Sequence, residues 1–350
     1  MDTKCPVLVT GGAGYIGSHA VLALLDAGWP VAVIDNLATG FRFAVPAGVP
    51  FYEGDIADAE LVARIIRELG IGAILHFAGS VVVPDSVADP LAYYDNNTVR
   101  SRQLIASAVA GGVRHMIFSS TAATYGVPDV ARVTEDTPTV PINPYGWSKL
   151  MTEQMLADTA SVASMNYAAL RYFNVAGADP DARSGQSTAG ATHLIKVAVE
   201  AGLGKRYGVA VFGTDFDTPD GTGVRDYIHV SDLAQAHVLA LEALIAQPER
   251  SMTLNCGYGR GFSVNEVLDA VDRQTNTVVQ RKYEARRAGD PDSLVADNSR
   301  ITRELGWKPA HADLDTIVFH ALQWERMLGA LREDMPALQN RVRRSARPAA

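Results

Sequence analysis

Cysteine is scarce. Cys5 and Cys256 are the only two in 350 residues, far apart and in no CxxC or Cys/His spacing. A disulfide scaffold and a structural zinc site are therefore not expected, no metal ligands are assigned, and a reducing, cytoplasmic setting is the simplest one. Long apolar runs are missing too. No stretch reaches the ~20 consecutive apolar residues of a membrane span, and MDTKCPVLVTGG leads directly into a strand pattern without the segments of a secretory leader. Positive charge is in deficit, with 31 Lys and Arg against 39 Asp and Glu, a net charge of -8. That average argues against nucleic acid or an anionic membrane as a partner held by bulk electrostatics. What remains is an ordinary globular composition, 47% hydrophobic. Its length exceeds the ~250 to 300 residues at which one core stops growing, so two lobes are expected.

The first half alternates short apolar runs with helical periods: PVLVT, SHAVLALLDAG, PVAVID, ELVARIIRELG, GAILHFAG, then TVRSRQLIASAVAGG, HMIFSS, a helix from Pro144, and YAALRYFNVAG. Strands that are apolar throughout and alternate with helices indicate a parallel sheet covered on both faces. The predicted class is α/β. A doubly wound, Rossmann-like parallel sheet occupies residues 1–177, and a smaller mixed α/β substrate domain occupies 178–335. DPDARSGQSTAGAT marks the crossing between them. The segment near 225–245 is expected to return to the first domain, and 336–350 reads as a flexible tail. In GFSVNEVLDAVDRQ, Ser263 and Glu266 have the spacing of a capping box.

TGGAGYIGSH joins the first strand to the first helix. Gly11, Gly14 and Gly17 follow GxxGxxG and not GxGxxG, yet the physical logic survives: a tight turn lets backbone N–H groups at a helix start face a diphosphate. Asp35 ends VAVID. A carboxylate there accepts from the adenosine ribose hydroxyls and repels a 2'-phosphate, which favours NAD over NADP; a turn-starting aspartate is the bland alternative. Asp55 and Ile56, in FYEGDI, fall near the adenine by the same geometry. In NPYGWSKLMTEQM, Tyr145 and Lys149 stand four apart where a helix begins, so phenol and ammonium share a face. A neighbouring cation favours phenolate and turns a tyrosine, ordinarily near pKa ~10, into a usable base. An exposed lysine beside a half-buried tyrosine explains the same spacing without chemistry.

Taken in order from about Val7 to Trp307, TGGAGYIG, EGDI, HFAG, YYDNN, FSSTAATYG, PYGWSK, RYFNVAG and GTGVRDYIHVSDLA resemble the extended short-chain dehydrogenase/reductases and, within them, the UDP-glucose 4-epimerase family. The resemblance implies an NAD-dependent isomerase that interconverts UDP-galactose and UDP-glucose. The sugar is oxidised at C4, the 4-keto sugar turns over, and the hydride returns to its other face. Tyr145 is then the acid/base, and Lys149 binds the nicotinamide ribose and lowers the tyrosine pKa. Thr121 is the third catalytic member, in a place usually held by serine, with Ser119 or Ser120 as alternatives. The implied cofactor positions are Gly11, Gly14, Tyr15, Ile16, Gly17, Asp35, Asn36, Asp55, Ile56, Phe77, Ala78, Gly79, Asn96, Tyr145, Lys149 and Phe173. Val81 stands where many relatives carry a lysine near the cofactor phosphates, so looser retention of NAD is expected.

For the UDP-sugar, the same resemblance implies contacts at Thr121, Asn174, the Leu194 backbone, Ala210, Phe212, Arg225, Arg287, Asp290 and Leu294. Planar guanidinium forks suit paired diphosphate oxygens; Arg286 reads as a solvated charge. His193 replaces an asparagine of some relatives and reads as a hydrogen bonder. Leu294 falls where a tyrosine narrows the sugar pocket and a small residue widens it, so N-acetylhexosamine and pentose substrates stay open. A homodimer through the helices around 92–111 and 145–160 is implied by analogy alone. Three rivals remain. A nucleotide-sugar 4,6-dehydratase shares the fold but places Asp-Glu after the threonine, where this chain has Ala122 and Ala123. An NAD-sensing protein needs no Tyr145 and Lys149, and a simple dehydrogenase accumulates NADH.

Overall fold

The computed structural model describes residues 4–287 and 289–334. The strands are β1 (Val7–Thr10), β2 (Val31–Asp35), β3 (Phe51–Glu53), β4 (Ala73–His76), β5 (His115–Thr121), β6 (Asn166–Tyr172), β7 (Asn174–Ala176), β8 (Val209–Phe212), β9 (Val224–His229), β10 (Met252–Cys256), β11 (Gly261–Ser263), β12 (Arg281–Glu284) and β13 (Ser293–Leu294). Seven of them form one sheet in the order β10-β6-β5-β4-β1-β2-β3, with every pairing parallel. A parallel sheet needs helical crossovers, and these bury both faces. Alternate residues of β1 show the division: Val7 and Val9 pack with Leu24, Leu233 and Leu241 on one face, while Leu8 packs with Val62, Ile65, Leu104 and Leu156 on the other. Strand order reverses between β1 and β4. In such sheets a crevice opens there, beyond the carboxyl ends of the strands.

A second region gathers β7, β9, β11 and β13 in one small sheet and β8 with β12 in another. Its core joins Ile195 and Val199 of the helix Leu194–Gly202, Val267, Leu268 and Val271 of Val264–Thr275, and Ile317 and Val318 of Leu314–Asp334. The capping box at Ser263 forms in both directions: Glu266 N–H donates to Ser263 Oγ at 3.0 Å, and Ser263 N–H to Glu266 Oε2 at 2.7 Å.

Packing does not follow a single cut at 177. The helix Val230–Ala246 lies in the first core, as do β10 and the side chains of Ile301 and Trp307. The sequence shows that Met252–Cys256 is strand-like but not which sheet it completes, because a short apolar run fits either. The tail at 336–350 lies outside the described residues. Among the described residues no helix is long and apolar enough to cross a membrane, and no cluster of His, Cys, Asp and Glu could hold a metal ion.

Candidate active site

The glycine loop leaves β1 and enters the helix Tyr15–Asp26 through Gly14, whose residue type offers no side-chain cap. The first turn of N–H groups is therefore left for a ligand. Gly11 has φ +68°, and a Cβ there would come 2.6 Å from the Ala78 nitrogen; at Gly17 it would come 2.2 Å from the Gly11 carbonyl oxygen. Only glycine keeps this cradle open against Phe77 and Ala78. The Tyr15 phenol is directed elsewhere, donating to the Gly177 carbonyl at 2.7 Å, so the loop offers backbone, not that hydroxyl. Asp35 Oδ2 accepts from Ala13 N–H at 2.9 Å and Oδ1 from Leu37 N–H at 2.7 Å. It both starts a turn and braces the loop, each oxygen keeping a further lone pair. Asn36 caps its own turn through Ala38 N–H at 3.0 Å. Asp55 is paired with Arg100, a residue with no prior reason for notice, and Ile56 is buried against the second core.

Asn96 and its neighbour Asn97 lie in a π-turn, Asp95–Val99, a form that often marks functional positions. Asn96 donates to Ser80 Oγ at 2.9 Å. Asn97 is the more deeply engaged: Oδ1 accepts from Ser80 N–H at 2.7 Å, and Nδ2 donates to the Ser80 carbonyl at 2.9 Å and to Ser148 Oγ at 3.1 Å. It ties the loop after HFAG to the helix Pro144–Ala160. A Cβ at Gly79 would meet Asn97 Oδ1 at 3.2 Å and Lys149 Nζ at 3.8 Å. Val81, in the place expected to lack a cation, is half exposed.

That helix starts on Asn143, which caps Gly146 N–H at 2.9 Å, with proline in its first turn. It carries Tyr145 (8% exposed) and Lys149 (4%) against the end of β5. Lys149 Nζ donates to the Ser119 carbonyl at 2.9 Å and lies 5.0 Å from the Phe118 ring centroid. Burial pushes the Tyr145 phenol up, opposed by a hydrogen bond with Thr121, and pushes the Lys149 ammonium down to about 8. In the protein alone, burial thus disfavours the charged form of both groups. The choice of hydroxyl narrows as well. Ser119 Oγ bonds Tyr172 Oη and Ser120 Oγ bonds Glu153, while Thr121 remains beside Tyr145.

The second region carries the residues expected to hold the nucleotide, and one of its loops reaches the segment before the Tyr145 helix. Arg287 lies with its guanidinium carbon 3.8 Å from the Phe212 ring centroid, and neither Arg287 nor Arg225 has a carboxylate partner among the described residues. Arg286 instead pairs with Asp215 and stacks on Phe216. A Cβ at Gly289 would sit 2.9 Å from Ile142, just before the Tyr145 helix, so the arginine loop meets the catalytic segment. Asp290 N–H closes that loop on the Arg287 carbonyl at 3.3 Å. Leu294 is in register with Arg225 and packs with Phe173, Ala122 and Tyr125. Asn174 opens β7, Ala210 is exposed on β8, and Leu194 opens a helix beside His193, whose Nδ1 lies 2.9 Å from Gln186 Nε2. A groove of about 1140 Å³ lies elsewhere, between the helices Ala59–Leu69 and Arg100–Ala110. Neither Tyr145 nor Lys149 lines it.

Fold and site together define a Rossmann-type protein with a buried tyrosine–lysine pair beside a glycine cradle. The model of the NAD dependent epimerase/dehydratase family matches residues 7–257. UDP-glucose 4-epimerase of Azospirillum brasilense is 56% identical over 322 residues, 92% of this chain and 92% of that protein. Among solved structures, UDP-glucose-4-epimerase from Stenotrophomonas maltophila, with bound NAD and formylated UDP-arabinopyranose, has a TM-score of 0.90 and 40% identity over 93% of this chain and 99% of that one. The Brucella ovis enzyme in complex with NAD has a TM-score of 0.88 and 43% identity over 91% and 98%. The chain belongs to the NAD dependent epimerase/dehydratase family, in its UDP-glucose 4-epimerase branch.

Proposed function

We propose that this protein interconverts UDP-galactose and UDP-glucose by reversible oxidation at C4, with NAD as its cofactor. The observation that carries the reading is Tyr145 buried between Thr121 and the Lys149 helix turn, in a chain whose glycine cradle closes on Ala78. Gly11, Gly14 and Gly17 with the backbone of Tyr15 and Ile16 would hold the diphosphate. Asp35 and Asn36 would hold the adenosine ribose, Asp55 and Ile56 the adenine, and Phe77, Ala78, Gly79, Asn96, Lys149 and Phe173 the remainder. NAD, when bound, accepts the C4 hydride and returns it. Tyr145 takes the O4 proton as the C4–H bond breaks, and gives it back when the hydride is restored to the opposite face of the ketone. Thr121 bonds the same sugar oxygen. With no net redox change, the products differ only in configuration.

Inversion requires the sugar to turn while the nucleotide stays bound. Arg225 and Arg287, Asn174, the Leu194 backbone, Ala210, Phe212 and Asp290 serve as that anchor, and binding energy remote from C4 retains the ketone. Leu294 borders the sugar space, where one side chain discriminates similar sugars weakly. We assign residues 1–177 chiefly to the cofactor and 178–335 chiefly to the substrate. Exposed Val99, Val109, Trp147 and Met151 support a homodimer through the helices around 92–111 and 145–160, and free Cys5 and Cys256 suit the cytoplasm. The deciding experiment incubates the purified protein with UDP-galactose. UDP-glucose of equal mass without NADH build-up is expected; loss of water would instead identify a 4,6-dehydratase, and no product an NAD-sensing protein.

A further inference from the structure

Buried charges that the reaction as written leaves unused sit directly behind Lys149. Glu153, 6% exposed, follows Lys149 by four positions on the same helix, just as Lys149 follows Tyr145. The end of β5 answers that spacing residue by residue. Thr121 bonds the Tyr145 phenol, the Ser119 carbonyl accepts from Lys149, and Ser120 Oγ donates to Glu153 Oε1. From β6, Arg171 grips the carboxylate with its fork, Nε to Oε1 at 3.0 Å and Nη2 to Oε2 at 2.6 Å, and Nη1 donates to Tyr125 Oη at 3.1 Å. Tyr125 donates in turn to Asn255 Oδ1 on β10 at 2.7 Å. A buried ion pair is often no more stable than an apolar pair of equal volume. Stability alone does not account for a carboxylate here.

Resting on the epimerase reading above, we propose that Glu153 is a positioning residue of the reaction: clamped by Arg171 and Ser120, its carboxylate fixes the place and charge of Lys149, and through it the proton transfer at Tyr145. Burial pushes Lys149 down to about 8, and Glu153 is the charge that opposes the fall. Without that carboxylate, Lys149 gives up its proton at lower pH, and the alkaline limit of turnover moves with it.

The test uses full-length holoenzyme. In Glu153→Gln, the alkaline limb of kcat for UDP-galactose should move by about one pH unit toward acid, with KM little changed, and Glu153→Asp should restore it. Because Glu153→Gln leaves a guanidinium uncompensated, the pair is also replaced together as Glu153→Gln/Arg171→Met, which removes both charges and should keep the displaced limb. The side-chain NMR signal of Lys149 in lysine-labelled protein, assigned by its absence in Lys149→Met and followed across pH, reports its proton loss without any turnover and should shift the same way in both variants. Ser120→Ala keeps both charges and serves where those variants fail to fold; its Lys149 profile should shift in the same direction by a smaller step. An unmoved Lys149 profile in any folded variant overturns the proposal and leaves Glu153 a structural residue. A shifted profile in a protein whose wild type does not turn over UDP-galactose refutes the epimerase reading instead.

Discussion

Tyr145 is the side chain on which the proposed chemistry turns, and its removal separates catalysis from binding. Tyr145→Phe keeps the ring that fills the site and deletes only the proton carrier. Turnover of UDP-galactose should fall by at least about 10²- to 10⁴-fold, the usual contribution of a general acid–base group, while NAD stays with the purified protein, as its absorbance would show. Lys149 makes a second, opposite-signed test. Its folded pKa of about 8 lies below the ordinary 10.5; between those values the unfolded chain carries a proton that the folded chain lacks, so stability rises with pH across that window. Below pH ~8 the buried ammonium costs on the order of 3 kcal/mol. Lys149→Met should therefore raise the Tm at pH 7 while abolishing turnover, and a lowered Tm would contradict this. The YxxxK spacing revealed the pair; the sequence did not reveal Glu153 and Arg171 behind it, because their meeting joins a helix to a strand through the fold. Among three consecutive hydroxyls, resemblance pointed to Thr121 and left Ser119 and Ser120 as alternatives; that Tyr172 and Glu153 engage those two depends on the fold.

Among the elements, the strand–turn–helix at Thr10–His19 is set by one backbone angle and two close approaches. Gly11→Ala forces φ +68° on a residue with a Cβ that would lie 2.6 Å from Ala78 N. The purified variant should lose bound NAD, and its Tm should fall; retention of both would remove the cradle from the argument. Ser263→Ala deletes the helix cap seen in both directions at Ser263 and Glu266, and should cost about 1 kcal/mol in denaturant unfolding with kcat unaltered. Strands and helices of the first half were legible because apolar runs and 3.6-residue periods alternate without ambiguity, and the capping box was legible because it is local. The π-turn at Asp95–Val99 was not. It shifts the helical phase, so YYDNN drew attention to Asn96 while Asn97 turned inward to Ser80 and Ser148.

Across the whole molecule, burial holds histidines neutral, four of them strongly. Burial lowers His19 and His237 to about 4, His76 to about 3 and His229 to about 2. As pH falls below the ordinary ~6.5, the unfolded chain gains protons that the folded chain refuses, so stability is lost from there downward, at pH 5 by about 2 kcal/mol for each. The Tm should drop steeply between about pH 6.5 and 4.5, and a flat profile there would show that these rings protonate in place. The parallel sheet could be foreseen from the alternation of strands and helices, but the placement of late segments could not, since β10 and Trp307 join the first core only through long-range packing.

The position of β10 has a mechanical consequence. The chain builds β7, β8 and β9 before Met252–Cys256 returns to seat itself beside β6, so the halves are clasped through one another instead of strung in line. A single protease nick between Asp179 and Ala191 would leave two fragments that co-elute. A fragment ending at 177 would instead bare the backbone of β6 along its whole length, a ready template for another chain, and it should precipitate where the nicked protein stays in solution.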